Sequence, residues 1–200
     1  GGKIRGIAAK GCLDFTRKQI DDLTNYVGRY GAKGLVWMRV KENNEVETQV
    51  GKFFTTEQLN ALRDAVHAEN GDMMFFIAGP EKIAATAMGQ LRLEIARIKG
   101  LLDPNRREFV WITEFPMFEY SETEGRYMAM HHPFTSPMPE HLDMMLSGNL
   151  KDCKAQAYDL VLNGVEIGGG SIRIHNQEVQ EKVFRLLGLT EEQVQEKFGF

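Results

Sequence analysis

"AYDLVLNGVEIGGGSIRIH" spans residues 157–175. Its last five residues, Ser171 to His175, alternate polar and apolar, the period of a strand with one face buried. That pattern puts Ile172 and Ile174 on the face expected to enter a core. Ser171, Arg173 and His175 take the other face. Gly168, Gly169 and Gly170 stand just before the run, with Glu166 ahead of them. Glycine inside a strand pattern weakens it, and marks a bulge or a close approach of backbone to a ligand. Two readings are open at this point. One is an edge strand with a flexible entry and a solvated arginine. The other is a floor of backbone beneath a ligand, with a carboxylate at one end and a guanidinium at the other.

Working outward, residues 157–164 read as a strand, and residues 176–188 as a helix with Val179, Val183, Phe184 and Leu187 on one face. Gly188 ends it, and Thr190 caps a last helix. Upstream, FVWITEF (109–115) is a strand, the polar EYSETEGRY makes a turn, and RYMAMHH (126–132) returns as a strand. PEHLDMML reads as a short helix. "GLLDPNRREF" (100–109) breaks the pattern with Gly, Asp-Pro and two arginines, and reads as a linker or a domain boundary.

Before that break lies a complete alternation of elements. KIRGIA (3–8) is a short strand, and Thr16 caps a helix to about Tyr30 with Ile20, Leu23 and Val27 inward. LVWMRV (35–40) is a strand that turns at Asn43-Asn44 into another. Thr55 or Thr56 caps a second helix, with Thr55 and Gln58 spaced for a capping box. MMFFIAG (73–79) is an apolar strand, and Pro80 suits the first turn of a third helix to about Lys99. The expected fold class is α+β, a small module over 1–105 followed by a second domain over 106–200.

Bulk composition narrows the classes. The hydrophobic fraction of 42% can fill a core, and a formal charge of −4 argues against binding nucleic acid by bulk charge alone. Cys12 and Cys153 have no metal-ligand spacing and imply no disulfide framework, so a reducing, cytoplasmic setting is expected. No apolar run reaches 18 residues, and no signal peptide is visible. The chain opens Gly1-Gly2 without an initiator methionine, as a cut from a longer chain would.

The candidate chemistry concentrates in the second half. Arginine's planar fork matches a carboxylate or phosphate with two parallel hydrogen bonds, which suits Arg173 to an anion. Glu166 offers oxygen to a metal ion or a hydroxyl. A surface salt bridge is the plainer role for each. His131-His132 on a regular strand would point to opposite faces and could not share one metal. The loop "PFTSP" (133–137) is expected to move over a pocket. The glycine run has neither the lysine of a P-loop nor the spacing of a dinucleotide fingerprint. The methionines at 128, 130, 138, 144 and 145 read as core filling.

Four blocks then carry a resemblance: "WITEFPMFE" (111–119), "MHHPFTSP" (130–137), "AYDLVLNGVEIGGGSIRIH" (157–175) and "VFRLLGL" (183–189). In this order they are similar to the bacterial-type aspartyl-tRNA synthetases, in the class II catalytic core between the second and third signature motifs. Residues 1–105 resemble the α+β domain inserted there, which is related to part of a tRNA-dependent amidotransferase subunit. The resemblance implies an antiparallel-sheet class II fold for 106–200. It implies a ligase that joins aspartate to ATP, giving aspartyl-adenylate and pyrophosphate, and passes the aspartyl group to tRNA(Asp). It implies ATP and Mg²⁺ as cofactors, a homodimeric parent enzyme and no membrane partner. By carry-over, Glu166 binds ATP, through Mg²⁺, and Arg173 grips the aspartate side-chain carboxylate. His131 contacts aspartate from its loop, and Gly168, Gly169, Gly170 and Ser171 form the pocket floor. The motif arginine for the α-phosphate, the third motif and the anticodon-binding barrel are expected outside these residues, so the isolated piece is expected to be inactive. The competing reading is a non-catalytic module that contacts tRNA or a protein through its first hundred residues. The Glu-to-Arg block at 166–173 weighs against it, since a pure binding module has no use for such a floor.

Overall fold

The computed structural model describes residues 2–199. The chain divides into two compact units, Gly1–Pro104 and Asn105–Phe200. Both are mixed α and β, and every strand pairing is antiparallel.

The first unit is built on a four-stranded sheet of order β1-β4-β2-β3. Its strands are β1 (Lys3–Ala9), β2 (Val36–Val40), β3 (Val46–Thr48) and β4 (Met73–Gly79). Helices α1 (Arg17–Gly28), α2 (Thr56–Ala65) and α3 (Glu81–Ile98) fall between and after them. β4 is central and buried on both faces because its two faces are both apolar. Met73, Phe75 and Ile77 enter one core with Ile20, Leu23 and Val27 of α1 and Leu91 of α3. Met74 and Phe76 enter the other, against Leu59 and Leu62 of α2. A side-chain period of two thus sorts one strand between two layers of helix.

The helix starts follow their caps. Thr16 and Gln19 form a capping box on α1, and Thr55 and Gln58 form another on α2. Pro80 is the residue before α3 and not part of its first turn, a one-residue correction. The turn before β4 is held by a buried carboxylate. Asp72 accepts hydrogen bonds from the Gly11 amide at 2.9 Å and the Glu69 amide at 2.8 Å, and pairs with Lys10 at 3.0 Å.

The second unit carries a three-stranded sheet of order β5-β8-β9 and a separate hairpin, β6-β7. β5 is Phe109–Thr113, β6 Phe118–Ser121, β7 Arg126–Ala129, β8 Ala157–Leu162 and β9 Val165–Ser171. The helices are α4 (Leu142–Leu146), α5 (Gln177–Leu186) and α6 (Glu191–Phe198). Its core gathers Met117, Phe118, Met145, Cys153, Val183 and Leu187.

Three expectations are corrected here. β5 stops at Thr113 because Glu114 takes a left-handed backbone, φ 58°. The start of the polar segment expected as a turn, Glu119 to Ser121, belongs to a strand, Phe118–Ser121, paired with Arg126–Ala129. The glycines do not precede a strand at 171–175. They lie inside β9, which ends at Ser171. The turn into β9 explains the shift: Asn163 and Gly164 both have positive φ, 49° and 84°, and close a two-residue hairpin whose register runs through the glycines.

Candidate functional site

The β8-β9 hairpin sets the geometry. Ala157 pairs with Ser171, Tyr158 with Gly170, Asp159 with Gly169, Leu160 with Gly168 and Val161 with Glu166. Ile167 is the extra residue of a bulge at Leu160/Val161, which locally re-aims the strand. Paired residues share a face, and residues two apart on a strand share it as well. Asp159, Val161 and Ala157 therefore bring Gly169, Glu166 and Ser171 to one face. Tyr158 and Leu160 take the other, with Gly170 and Gly168.

The three glycines have different reasons. A β-carbon on Gly169 would collide with the carboxylate of Asp159, which folds across it. On Gly170 it would stand 2.9 Å from the Tyr158 hydroxyl, whose ring also meets Trp111 edge-on at 5.9 Å. On Gly168 it would meet nothing within 4 Å. Two of the three are thus needed by side chains of the neighbouring strand, and one leaves open backbone.

Past Ser171 the chain continues as a bridge. Thr135 lies antiparallel to Arg173, flanked by hydrogen bonds from the Ser136 amide to the Ile172 carbonyl and from the Ile174 amide to the Phe134 carbonyl, both 2.8 Å. That is the non-hydrogen-bonded pair of an antiparallel ladder, in which side chains stand closest. Arg173 is exposed and follows Ser171 on the same face, while Ile174 turns into the core. Ile172 was expected inside with Ile174 but is 48% exposed. From Gly169 to Arg173 the backbone covers on the order of 13 Å.

The segment expected to be a moving loop is mostly pinned. Thr135 is buried, Pro137 bridges Ala155, and the Gln180 side-chain amide donates to the Pro133 carbonyl at 3.0 Å. The two histidines precede it. His131 is exposed with its ring edge-on to Phe115 at 4.8 Å. The His132 ring packs on Phe134, and its Nδ1 accepts from the Phe134 amide at 3.1 Å, which leaves any proton of the neutral ring on Nε2. The ring stays exposed, yet its partial desolvation, and then the charge of Arg173, lower the pKa of His132 from the usual 6.5. His132, and not the His131 that the resemblance points to, is thus the histidine lowered by the field of Arg173.

The charges on this face are unpaired. Ion pairs tie down many other charged residues, yet no described residue forms an ion pair with Asp159, Glu166 or Arg173. Asp159 was missed in the sequence, where it reads as one polar residue in an apolar strand. The signal was its register: seven residues before Glu166 across a two-residue turn. No group of three or more His, Cys, Asp or Glu among the described residues forms a ready metal cage. Two carboxylates on one face suit a hard cation that keeps water or phosphate oxygens as its other ligands. No helix among the described residues is long and apolar enough to cross a membrane.

Comparison with known proteins agrees with the sequence resemblance. Residues 1–88 match the GAD domain family. The whole chain is 50% identical to the aspartate–tRNA(Asp/Asn) ligase of Desulfatibacillum aliphaticivorans, covering 33% of that protein. It is 49% identical to the aspartate–tRNA ligase of Ruminiclostridium cellulolyticum, covering 34% of it, and 48% identical to the aspartate–tRNA(Asp/Asn) ligase of Desulfotalea psychrophila. The chain spans about a third of the length of the curated relatives it matches.

Proposed function

We propose that these 200 residues serve aspartate activation and transfer to tRNA, as part of an aspartate–tRNA ligase. The observation that carries the reading is the single face on which Glu166, Asp159, Ser171 and Arg173 lie without ion-pair partners, floored by Gly169. Carboxylates at one end and a guanidinium at the other match a triphosphate with its cation beside a dicarboxylic amino acid. The similarity of the whole chain to aspartate–tRNA ligases supports the same reading.

In this reading Arg173 holds the side-chain carboxylate of aspartate through its fork. Asparagine would present an amide donor to a donor and lose that pair. His131 reaches the substrate from its exposed position ahead of the loop; of the three glycines expected as floor, Gly169 shares this face, while Gly168 and Gly170 lie on the opposite one. The α-carboxylate attacks the α-phosphorus of ATP, forming aspartyl-adenylate and releasing pyrophosphate. Mg²⁺, when bound, neutralises phosphate charge, and Glu166 with Asp159 are the residues that would hold it. Gly1–Pro104 corresponds to the inserted GAD-containing domain and Asn105–Phe200 to part of the catalytic domain. tRNA(Asp) as partner, a homodimeric parent and a cytoplasmic setting belong to the same proposal.

Pyrophosphate exchange in the longest natural chain carrying this sequence tests it. Arg173→Lys keeps the charge and loses the fork. It should raise the aspartate requirement by about 2–4 kcal/mol in kcat/KM and leave the ATP requirement nearly unchanged. An unaltered aspartate dependence in a folded variant would remove Arg173 from the site.

A further inference from the structure

Thr135 and Asp72 are the buried polar residues of the described chain, each with about 4% or less of its surface exposed. Asp72 is accounted for by the turn it holds. Thr135 has no such local duty. Its amide donates to the His132 carbonyl at 3.0 Å, while its hydroxyl has one partner, the Ser171 hydroxyl at 3.3 Å. A buried hydroxyl keeps its place only where it is hydrogen-bonded, and valine has the same shape without that requirement.

We infer that Thr135 is a positioning residue for the carboxylate site, fixing Ser171 and Arg173 relative to the histidine segment. Three observations meet at this side chain. It lies directly opposite Arg173 in the close, non-hydrogen-bonded pairing. It holds the hydroxyl of Ser171, the residue two before Arg173 on the same face. It is three residues from His132, and its own amide closes the turn that begins at that histidine. A hydroxyl accepts and donates at once. With Thr135 Oγ1 donating to a lone pair of Ser171 Oγ, the Ser171 proton is left to donate in a fixed direction. A carboxylate held by Arg173 is the acceptor that bond would serve. Thr135 itself is too buried to touch the substrate. It acts through Ser171 and through the stem of Arg173.

The inference rests on the reading of Arg173 as a carboxylate-binding residue, and the test separates the two. Thr135→Val, Thr135→Ser, Ser171→Ala and Arg173→Lys are compared in the longest natural chain carrying the sequence, by pyrophosphate exchange with aspartate and ATP varied in turn. Thr135→Val should raise the aspartate KM about tenfold, the worth of one oriented hydrogen bond, with kcat and the ATP KM within about twofold of the parent. Thr135→Ser should restore the parent values, and Ser171→Ala should reproduce the Thr135→Val split. If Thr135→Val leaves the aspartate KM unchanged while Arg173→Lys raises it, the carboxylate site stands and the positioning role is wrong. If neither variant moves the aspartate KM, the site reading fails and this inference with it. Equal losses toward aspartate and ATP, or loss of folding in Thr135→Val together with a parent-like Ser171→Ala, would show Thr135 to be a packing residue only.

Discussion

Asp159 lies directly opposite Gly169 on the neighbouring strand and folds its carboxylate over the space a β-carbon would fill. The glycine therefore sets where that carboxylate rests. In Gly169→Ala the severe clash is with the end of the flexible Asp159 side chain, and the Tyr158 backbone carbonyl at 3.3 Å must give by a few tenths of an ångström, so the strand should survive with a stability loss of about 1 kcal/mol. Asp159 would have to swing aside, and Mg²⁺ dependence of pyrophosphate exchange should shift to higher concentration. Gly168→Ala meets open space and should leave that dependence alone. Titrating Mg²⁺ against both variants checks the contrast, and equal behaviour of the two would exclude Asp159 from holding the cation.

His132 offers a pH signature that needs no substrate. Partial desolvation first, and the Arg173 charge second, lower its folded pKa from the usual 6.5. The unfolded chain therefore binds a proton that the folded chain refuses. Stability from this group is complete above pH 6.5 and falls as pH drops from there toward the folded pKa. Arg173→Gln removes one of the two causes and should move the His132 imidazole resonance to a higher midpoint. Proton or ¹⁵N NMR titration of the ring reads this directly. An unchanged midpoint would mean that the guanidinium points away from His132.

Asp72 should dominate acid sensitivity in the first unit. Burial pushes its carboxyl up, but the Glu69 and Gly11 amides and Lys10 together outweigh this and hold it below the usual carboxylate range. A lowered folded pKa gives stability that is present above the unfolded value of 3.8 and lost as pH falls through the folded one. Asp72→Ala at neutral pH leaves two amides without their acceptor and should cost on the order of 2–3 kcal/mol by urea unfolding. The variant should also show a flatter acid limb than the parent.

Much of the first unit was legible because each of its signals is local. Thr16 and Thr55 cap where their spacing to glutamine says they should, and the apolar run at 73–79 is the central strand. The second unit resisted where the cause is long-range. β6 is polar on one side and reads as a turn, and only its pairing with β7 makes it a strand. The end of β9 depends on a register set by the Asn163-Gly164 turn, whose glycine lies seven residues before Ser171, so alternation at 171–175 misplaced the strand. At the site, Glu166, Ser171 and Arg173 stood out by residue type. Asp159 and Thr135 did not, since their roles come from what lies across the ladder from them.

The two units should differ sharply when expressed apart. Residues 1–104 bury both faces of their central strand between helices, with separate cores on either side. Residues 105–200 present β5 with little cover on either face: Phe109 is 61% exposed, Trp111 59%, Val110 50% and Ile112 41%. Those four side chains alternate between the two faces of the sheet, so no single packing event within the unit could hide them. β5 is also an edge strand, with unpaired backbone groups along one side. An exposed apolar edge strand is a template for association. The first unit alone should therefore be monomeric and unfold in one cooperative urea transition. The second alone should bind a hydrophobic dye and self-associate at micromolar concentration, and Trp111→Lys with Phe109→Lys should relieve both effects. Sedimentation and dye fluorescence on the separate units decide the matter. A monomeric second unit that binds no dye would show that its sheet is stable as it stands.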